Sequence, residues 1–448
     1  MNNSTEILII GGGPAAAVAA ATAKRYYPDK KITIIKDVEP SLVPCGIPYM
    51  ISSLDNPENN IMSFEPLKAA GIKVVIDEAT EINRDDKKVY TANGGKYSYE
   101  KLILATGSSP IIPKIQGIEL NNVYSVKKDF EYLKKMVSNI KENKNIVVIG
   151  GGFIGVEFCD EISNINGKNI YLVEMLPDII CNSFDKEFSD IARKKLEEKG
   201  VKVLTGVRVE AISGSDKVEK VMLSGGKTIE ADIVILCIGG QPNTALAEKV
   251  GLNLGMGKGI WRDEYMRTMD PDIYAVGDCA GKRDFFTRKN NPVMLASTAT
   301  AEARIAGANL YKLKVVRENK GTIAAYSTYL SGLVLASAGL TETTAKEENF
   351  EVIVGKAESL DRHPGTMPGA SKVFVKLVFS KQSGILMGGQ VVGGDSAGEI
   401  INIIGLAIQK NVTLNELESF QMATHPYLTP PPTKYHIVQA AMDASSKI

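Results

Sequence analysis

Two short glycine-rich loops, each set between an apolar strand and a helix, constrain this chain more than any other feature. Gly11-x-Gly13-x-x-Ala16 follows the strand-like Glu6–Ile10 and opens an alanine-rich stretch that leads to a second strand, Lys31–Ile35. Gly150-x-Gly152-x-x-Gly155 repeats the plan between Asn145–Ile149 and Asn169–Val173. Strand, tight turn, helix and returning strand make a βαβ unit, and two of them a domain's length apart predict an α/β protein.

Such loops have a physical use. A dinucleotide pyrophosphate needs backbone close to its oxygens and a helix N-terminus aimed at its charge, and a Cβ in the turn would block both. Two loops in matched context therefore predict two Rossmann-like dinucleotide-binding domains. Their contacts would include Gly11, Gly13, Pro14, Ala15 and Ala16 in the first, and Gly150, Gly152, Phe153, Ile154 and Gly155 in the second. Glu174 ends the second unit's returning strand, where a carboxylate accepts from an adenosine ribose hydroxyl. No arginine immediately follows it to meet a 2′-phosphate, so NADH is favoured and NADPH stays open. In the first unit, Ile35 and Lys36 stand where an acid is usual, which leaves Asp37 or Glu39 as candidates.

Composition narrows the class. The chain has 448 residues, 44% hydrophobic and 23% charged, which fits a globular protein of two or three domains. Lys plus Arg and Asp plus Glu balance at 52 each, which argues against nucleic acid or an anionic membrane as main partner. Glycines and Pro14 interrupt the apolar stretch Ile7–Ala23, so neither a secretory leader nor a spanning helix is expected. The cysteines at 45, 159, 181, 237 and 279 form no CxxC pair, which fits reduced thiols in a cytoplasmic protein and no metal site. Of these, Cys159, Cys181, Cys237 and Cys279 read as small buried hydrophobes.

The region between the glycine units has β-rich patches at Lys73–Ile76 and Lys88–Thr91. It ends in an apolar strand that runs into Ala105-Thr106-Gly107. Beyond the second unit, Asp232–Ile238 and Ile273–Val276 read as strands stopped by Gly239 and Gly277, and Gly239 is a further NAD-site candidate. From about Thr322 the texture changes: Ala324–Leu330, Val352–Gly355 and Lys372–Ser380 read as antiparallel strands, followed by a helix over Ser396–Gln409.

The order of glycine loop, Ala105-Thr106-Gly107, second glycine loop and Tyr274-Ala275-Val276-Gly277-Asp278 resembles the pyridine nucleotide-disulfide oxidoreductases, flavoproteins with two dinucleotide sites. The resemblance covers essentially the whole chain. It implies an FAD-binding domain over 1–116 and 244–321, an NAD(P)H-binding domain over 117–243, and a C-terminal α+β dimerisation domain over 322–448. It also implies that Asp278 meets the flavin ribityl chain, with Ser41, Ala105, Thr106, Gly107 and Gly277 in the same site, and that Glu157 lies near the nicotinamide. An N-cap role for Asp278 is compatible with this.

Ser41-Leu42-Val43-Pro44-Cys45-Gly46 sets the branch. Disulfide reductases such as glutathione reductase carry two cysteines five positions apart here, whereas neither position 40 nor 50 can partner Cys45. The segment resembles the single-cysteine branch: coenzyme A-disulfide reductases, NADH oxidases and peroxidases, and polysulfide or persulfide reductases. Leu42 replaces that branch's aromatic residue. Pro44 and Gly46 bracket Cys45 at what should be a helix start, where the dipole would stabilise a thiolate. In the tail, His425-Pro426-Tyr427 resembles the segment that disulfide reductases insert into the partner subunit's site. It offers His425 or Tyr427 as proton donor, with His425 preferred because imidazole titrates nearer neutrality.

His363–Gly369 stands where coenzyme A-disulfide reductases tend to have a Tyr-Tyr-Pro-Gly segment, and Thr366 and Met367 supply no phenol. His436 reads as a surface or packing residue. The expected enzyme is a homodimeric FAD-dependent NAD(P)H oxidoreductase that passes electrons through Cys45 to a disulfide, persulfide or polysulfide. The alternatives are an NADH oxidase or peroxidase and an NADH:rubredoxin-type electron-transfer reductase.

Overall fold

The computed structural model of the protein describes residues 2–255, 257–316 and 319–448. The first glycine unit lies in a five-stranded parallel sheet. Its spatial order is Ile273–Ala275, Lys101–Leu104, Ile7–Ile10, Ile32–Lys36, Lys73–Ile76. The four residues of Ile7–Ile10 are all buried, as a central parallel strand covered on both faces requires. The edge strand Ile273–Ala275 comes from beyond the second unit, so the chain leaves this sheet, builds the next, and returns.

That next sheet is also five-stranded and parallel, in the order Val123–Ser125, Ile233–Leu236, Asn145–Ile149, Asn169–Val173, Lys202–Leu204. Both central strands of the two sheets end at a glycine turn, which places the two helix N-termini on a common cleft. The helix Pro14–Tyr26 is alanine-rich for a packing reason. It lies against Ala296–Ala308 so closely that a Cβ on Gly307 would stand 2.7 Å from the Ala19 carbonyl oxygen.

The C-terminal part is an antiparallel sheet ordered Tyr326–Leu330, Leu333–Gly339, Leu386–Gly393, Lys372–Ser380, Val352–Leu360. The helix Ala397–Gln409 shares its core. Two readings change here. Val352–Gly355 is the first part of a strand that continues to Leu360, because Lys372–Ser380 pairs with its whole length and carries it past Gly355. The first strand starts at Tyr326 instead of Ala324, whose φ of +47° takes it out of extended geometry. Among the described residues no helix is long and apolar enough to cross a membrane.

Candidate active site

The first two sheets and the edge of the third enclose one continuous cleft of about 1450 Å³. Both glycine loops line it, together with Cys45, Glu157, Glu174 and Asp278. Gly11 has φ +135°, and a Cβ there would meet the Ala105 carbonyl oxygen at 2.1 Å. Gly150, at φ +107°, faces the Cys237 carbonyl oxygen in the same way. A Cβ on Gly13 or Gly152 would meet no protein atom within 4 Å, so each loop presents bare backbone to the cleft. Neither helix has an acidic residue in its first turn to oppose an anion.

Ala105–Gly107 lines the cleft beside the first loop, Ala105 N donating to the Ile10 carbonyl at 2.8 Å. Asn243 locks it: Thr106 Oγ1 donates to the Asn243 carbonyl at 2.7 Å, and Asn243 Nδ2 donates back to the Thr106 carbonyl at 2.9 Å. Gly239 also lines the cleft, its carbonyl accepting from Ile111 N at 3.0 Å. Asp278 sits inside a short 3₁₀ turn, Gly277–Cys279, whose N-cap is Val276, so it does not serve as an N-cap. Its carboxylate instead accepts from Ser108 Oγ at 2.8 Å and faces Lys128 Nζ at 3.4 Å.

Cys45 is exposed to the cleft. The helix start expected beneath it is absent. Pro44–Gly46 and Pro48–Met50 are separate 3₁₀ turns, each opened by a proline, and three residues carry too few aligned peptides for a useful dipole. Burial of its inner side, then the carboxylates of Glu157 and Asp278, push the thiol above its ordinary value, against a smaller opposing pull from Lys128. What fixes Cys45 is packing. Leu42, Ile47, Met50 and Ile51 enter one core with Phe158 and Ile162 of the second unit and Leu330 of the C-terminal sheet.

The helix Phe153–Ser163 ties these parts together through three buried acids. Glu161 accepts from Ser52 N and Oγ at 3.2 and 2.6 Å and from Ser53 N and Oγ at 2.9 and 2.5 Å, which anchors the end of the Cys45 segment. Asp160 accepts from Ser331 N and Oγ at 3.1 and 2.6 Å. Glu157, 8% exposed, accepts from Thr328 Oγ1 at 2.8 Å. Burial and the two neighbouring acids raise its carboxyl to about 7, against the opposing Thr328 hydrogen bond. Phe153, at the head of the same helix, stacks on Tyr326 with ring centroids 4.6 Å apart. The cleft therefore holds a carboxyl able to carry a proton near neutrality beside a thiol.

The tail is elsewhere. His425 and Tyr427 are exposed, stack on each other with ring centroids 6.4 Å apart, and do not line the cleft of their own chain. The His363 segment braces them: His363 N donates to the Pro426 carbonyl at 3.1 Å, and its Nδ1 lies 2.8 Å from the Thr429 carbonyl. His436 is a packing residue, 1% exposed.

Residues 5–303 match the pyridine nucleotide-disulphide oxidoreductase family, and residues 326–434 match its dimerisation domain. The chain belongs to this family. An NADH oxidase of Methanocaldococcus jannaschii is 31% identical over 438 residues, 95% of each chain. An NAD(P)H coenzyme A polysulfide/persulfide reductase of Pyrococcus horikoshii is 32% identical over 381 residues, 83% of this chain and 84% of that one. Among solved structures, an NAD-dependent persulfide reductase from A. fulgidus superposes with a TM-score of 0.92 at 31% identity, over 100% of this chain and 83% of that one. As a member of the family the protein is an NAD(P)H-dependent flavin oxidoreductase that uses FAD, and the bare backbone of the first loop fits that cofactor's pyrophosphate.

Several residues of this flavoprotein's cleft escaped the sequence reading. Tyr49, Lys128 and Arg208 all line it, and so does Lys36, which stands out in the sequence only as a break in the expected acid. Tyr49 is pushed up by burial and then by Glu157, Glu161 and Asp160, so its phenol stays protonated. The three acids in Glu157–Glu161 were the available signal, since charges inside an otherwise apolar helix need partners. Cys181 and Cys237 are only half-buried, contrary to expectation. Cys237 follows the strand Ile233–Leu236 beside Gly150, where the sheet opens to the cleft, and Cys181 lies on the turn beyond Glu174. Cys159 and Cys279 are buried as expected.

Proposed function

We propose that the protein is a homodimeric, NADH-driven reductase that delivers electrons through Cys45 to a disulfide, persulfide or polysulfide, with a coenzyme A thiol among the candidate substrates. The observation that carries this reading is that one cleft holds both glycine loops and Cys45, the exposed one of the two cysteines that line it. The persulfide and polysulfide reductases among its relatives support the substrate class. Five free cysteines support a reducing, cytoplasmic setting.

When bound, FAD supplies hydride acceptance from NADH and electron delivery to an oxidised sulfur. Residues of this chain do the rest. Glu174, held by Gly151 N at 2.6 Å and Leu176 N at 2.7 Å, presents its charge where an adenosine 2′-phosphate would be repelled, which favours NADH. Arg208 on the cleft wall leaves NADPH as a weaker second donor. The Cys45 thiolate attacks one sulfur of the substrate, forms a mixed disulfide and displaces the other sulfur as a thiolate. His425, or Tyr427, of the second copy of the chain protonates that leaving group, which accounts for their exposure here. Glu157 holds a proton at its carboxyl beside the reacting sulfur.

Reduction of oxygen or peroxide is the second reading, favoured by the relatives named NADH oxidase. There Cys45 would cycle through a sulfenic acid. Anaerobic NADH oxidation with coenzyme A disulfide, polysulfide, peroxide or a rubredoxin-type carrier, set beside oxygen uptake in air, separates these. The expected result is anaerobic turnover with release of thiol or sulfide. Turnover confined to oxygen or peroxide would establish the second reading.

A further inference from the structure

The two glycine units are built alike, and they differ chemically at the strand end. In the second, Gly150 N donates to the Val173 carbonyl at 2.9 Å, and the next residue is Glu174. In the first, Gly11 N donates to the Ile35 carbonyl at 2.8 Å, so the residue in Glu174's place is Lys36. The side chains show the same equivalence. A Cβ on Gly151 would meet that of Glu174 at 3.1 Å, and one on Gly12 would meet that of Lys36 at 3.0 Å. Asp37 lies one residue further on, exposed, and Glu39 is turned toward the lysine.

Lys36 is built into this position. Its side chain is 1% exposed yet lines the cleft. Nζ donates to Ser41 Oγ at 2.8 Å, pairs with Glu39, and stands 4.6 Å from the centre of the Phe64 ring. Burying an ammonium is costly unless its protons are engaged. It has three, and the hydroxyl and the carboxylate account for two. A carboxylate at this position accepts from a ribose; an ammonium can only donate.

We propose that Lys36 is the adenosine-recognition residue of the first site, its ammonium donating to the ribose hydroxyls of FAD where the second unit presents an accepting carboxylate. The inference rests on the assignment of the first loop to FAD. It makes the two sites opposite in polarity: one reads a ribose with a donor, the other with an acceptor.

Binding, not turnover, tests it. The protein is stripped of flavin and titrated by flavin fluorescence with FAD and with an FAD whose adenosine lacks both ribose hydroxyls. Lys36→Met keeps an unbranched apolar side chain and removes the charge; Lys36→Arg keeps a donor. The wild type should bind FAD roughly tenfold or more tighter than the analogue, the value of a hydrogen bond to a charged group. Lys36→Met should lose that preference and bind the two flavins alike, while Lys36→Arg retains most of it. Equal affinity of the wild type for both flavins would overturn the proposal, and that arm needs no variant to fold. An equal loss for both flavins in Lys36→Met would also overturn it, reducing Lys36 to a brace for the Ser41 loop. A wild type that binds neither flavin would refute the FAD assignment itself, and this inference with it.

Discussion

Glu157 offers a quantitative test of how the cleft is built. Its carboxyl is lifted from the ordinary 4.5 to about 7, chiefly by burial. At roughly 1.36 kcal/mol per pH unit, that lift corresponds to about 3 kcal/mol that the fold gives up once the group ionises. The sign follows from the direction. A carboxyl raised in the folded state contributes stability that is intact below pH 4.5, declines as pH rises, and is gone above pH 7. Glu157→Gln keeps the shape and removes the titration, so its stability should lack that decline. Thr328→Val deletes the hydroxyl that stabilises the charged form at 2.8 Å. A hydrogen bond to a charged group contributes about 1.5–3 kcal/mol, so the upper end of the decline should move up by roughly one to two pH units. Urea unfolding of the three proteins at half-unit steps from pH 4 to 9 reads all of this. Superimposable pH profiles for wild type and Glu157→Gln would refute the reasoning.

Two further outcomes follow from buried charge. Lys376, 1% exposed, joins Asp185 at 2.8 Å, Glu187 at 2.9 Å and Glu342 at 2.8 Å, between the start of the helix Lys186–Glu198 and the C-terminal sheet. Lys376→Met strands those acids and should lower unfolding free energy by about 3–5 kcal/mol in urea titrations at pH 7. Because the Asp185 carboxyl is held down to about 2, that deficit should shrink as pH falls through 4 toward 2. Glu161→Ala removes the acceptor for Ser52 and Ser53. Thermal unfolding should show a loss of about 2–4 kcal/mol, and iodoacetamide should alkylate Cys45 faster as its segment loosens; an unchanged alkylation rate would separate that anchor from the cysteine.

Much of this architecture was legible because local chemistry decided it. A glycine that must take positive φ against a neighbouring carbonyl, as Gly11 and Gly150 do, leaves the same mark wherever the strand and helix flank it. The strands Asn145–Ile149 and Asn169–Val173 could be read to the residue because each is a short, mostly apolar run that stops at a fixed mark, the first at its glycine turn and the second at Glu174. What could not be read depends on distant segments. Glu157 meets Thr328, and Asp160 meets Ser331, across 171 residues of sequence, so nothing local reveals where those acids point. The helix start expected at Cys45 is absent for a local reason: Pro44 and Pro48 follow each other too closely to let one helix propagate. Lys36 interrupts the usual acid pattern in the sequence, and only the matched geometry of the two units shows that it occupies the acid's own place.

In the proposed cycle electrons leave the cleft through Cys45. Cys45→Ser in the flavin-loaded enzyme, mixed anaerobically with NADH and then with polysulfide or coenzyme A disulfide, decides whether they do. The flavin absorbance should bleach with NADH as in the wild type, because the glycine loops and Glu157 are untouched, and no thiol or sulfide should then be released. Wild-type release from the serine variant would contradict the claim and take the thiol out of the reaction.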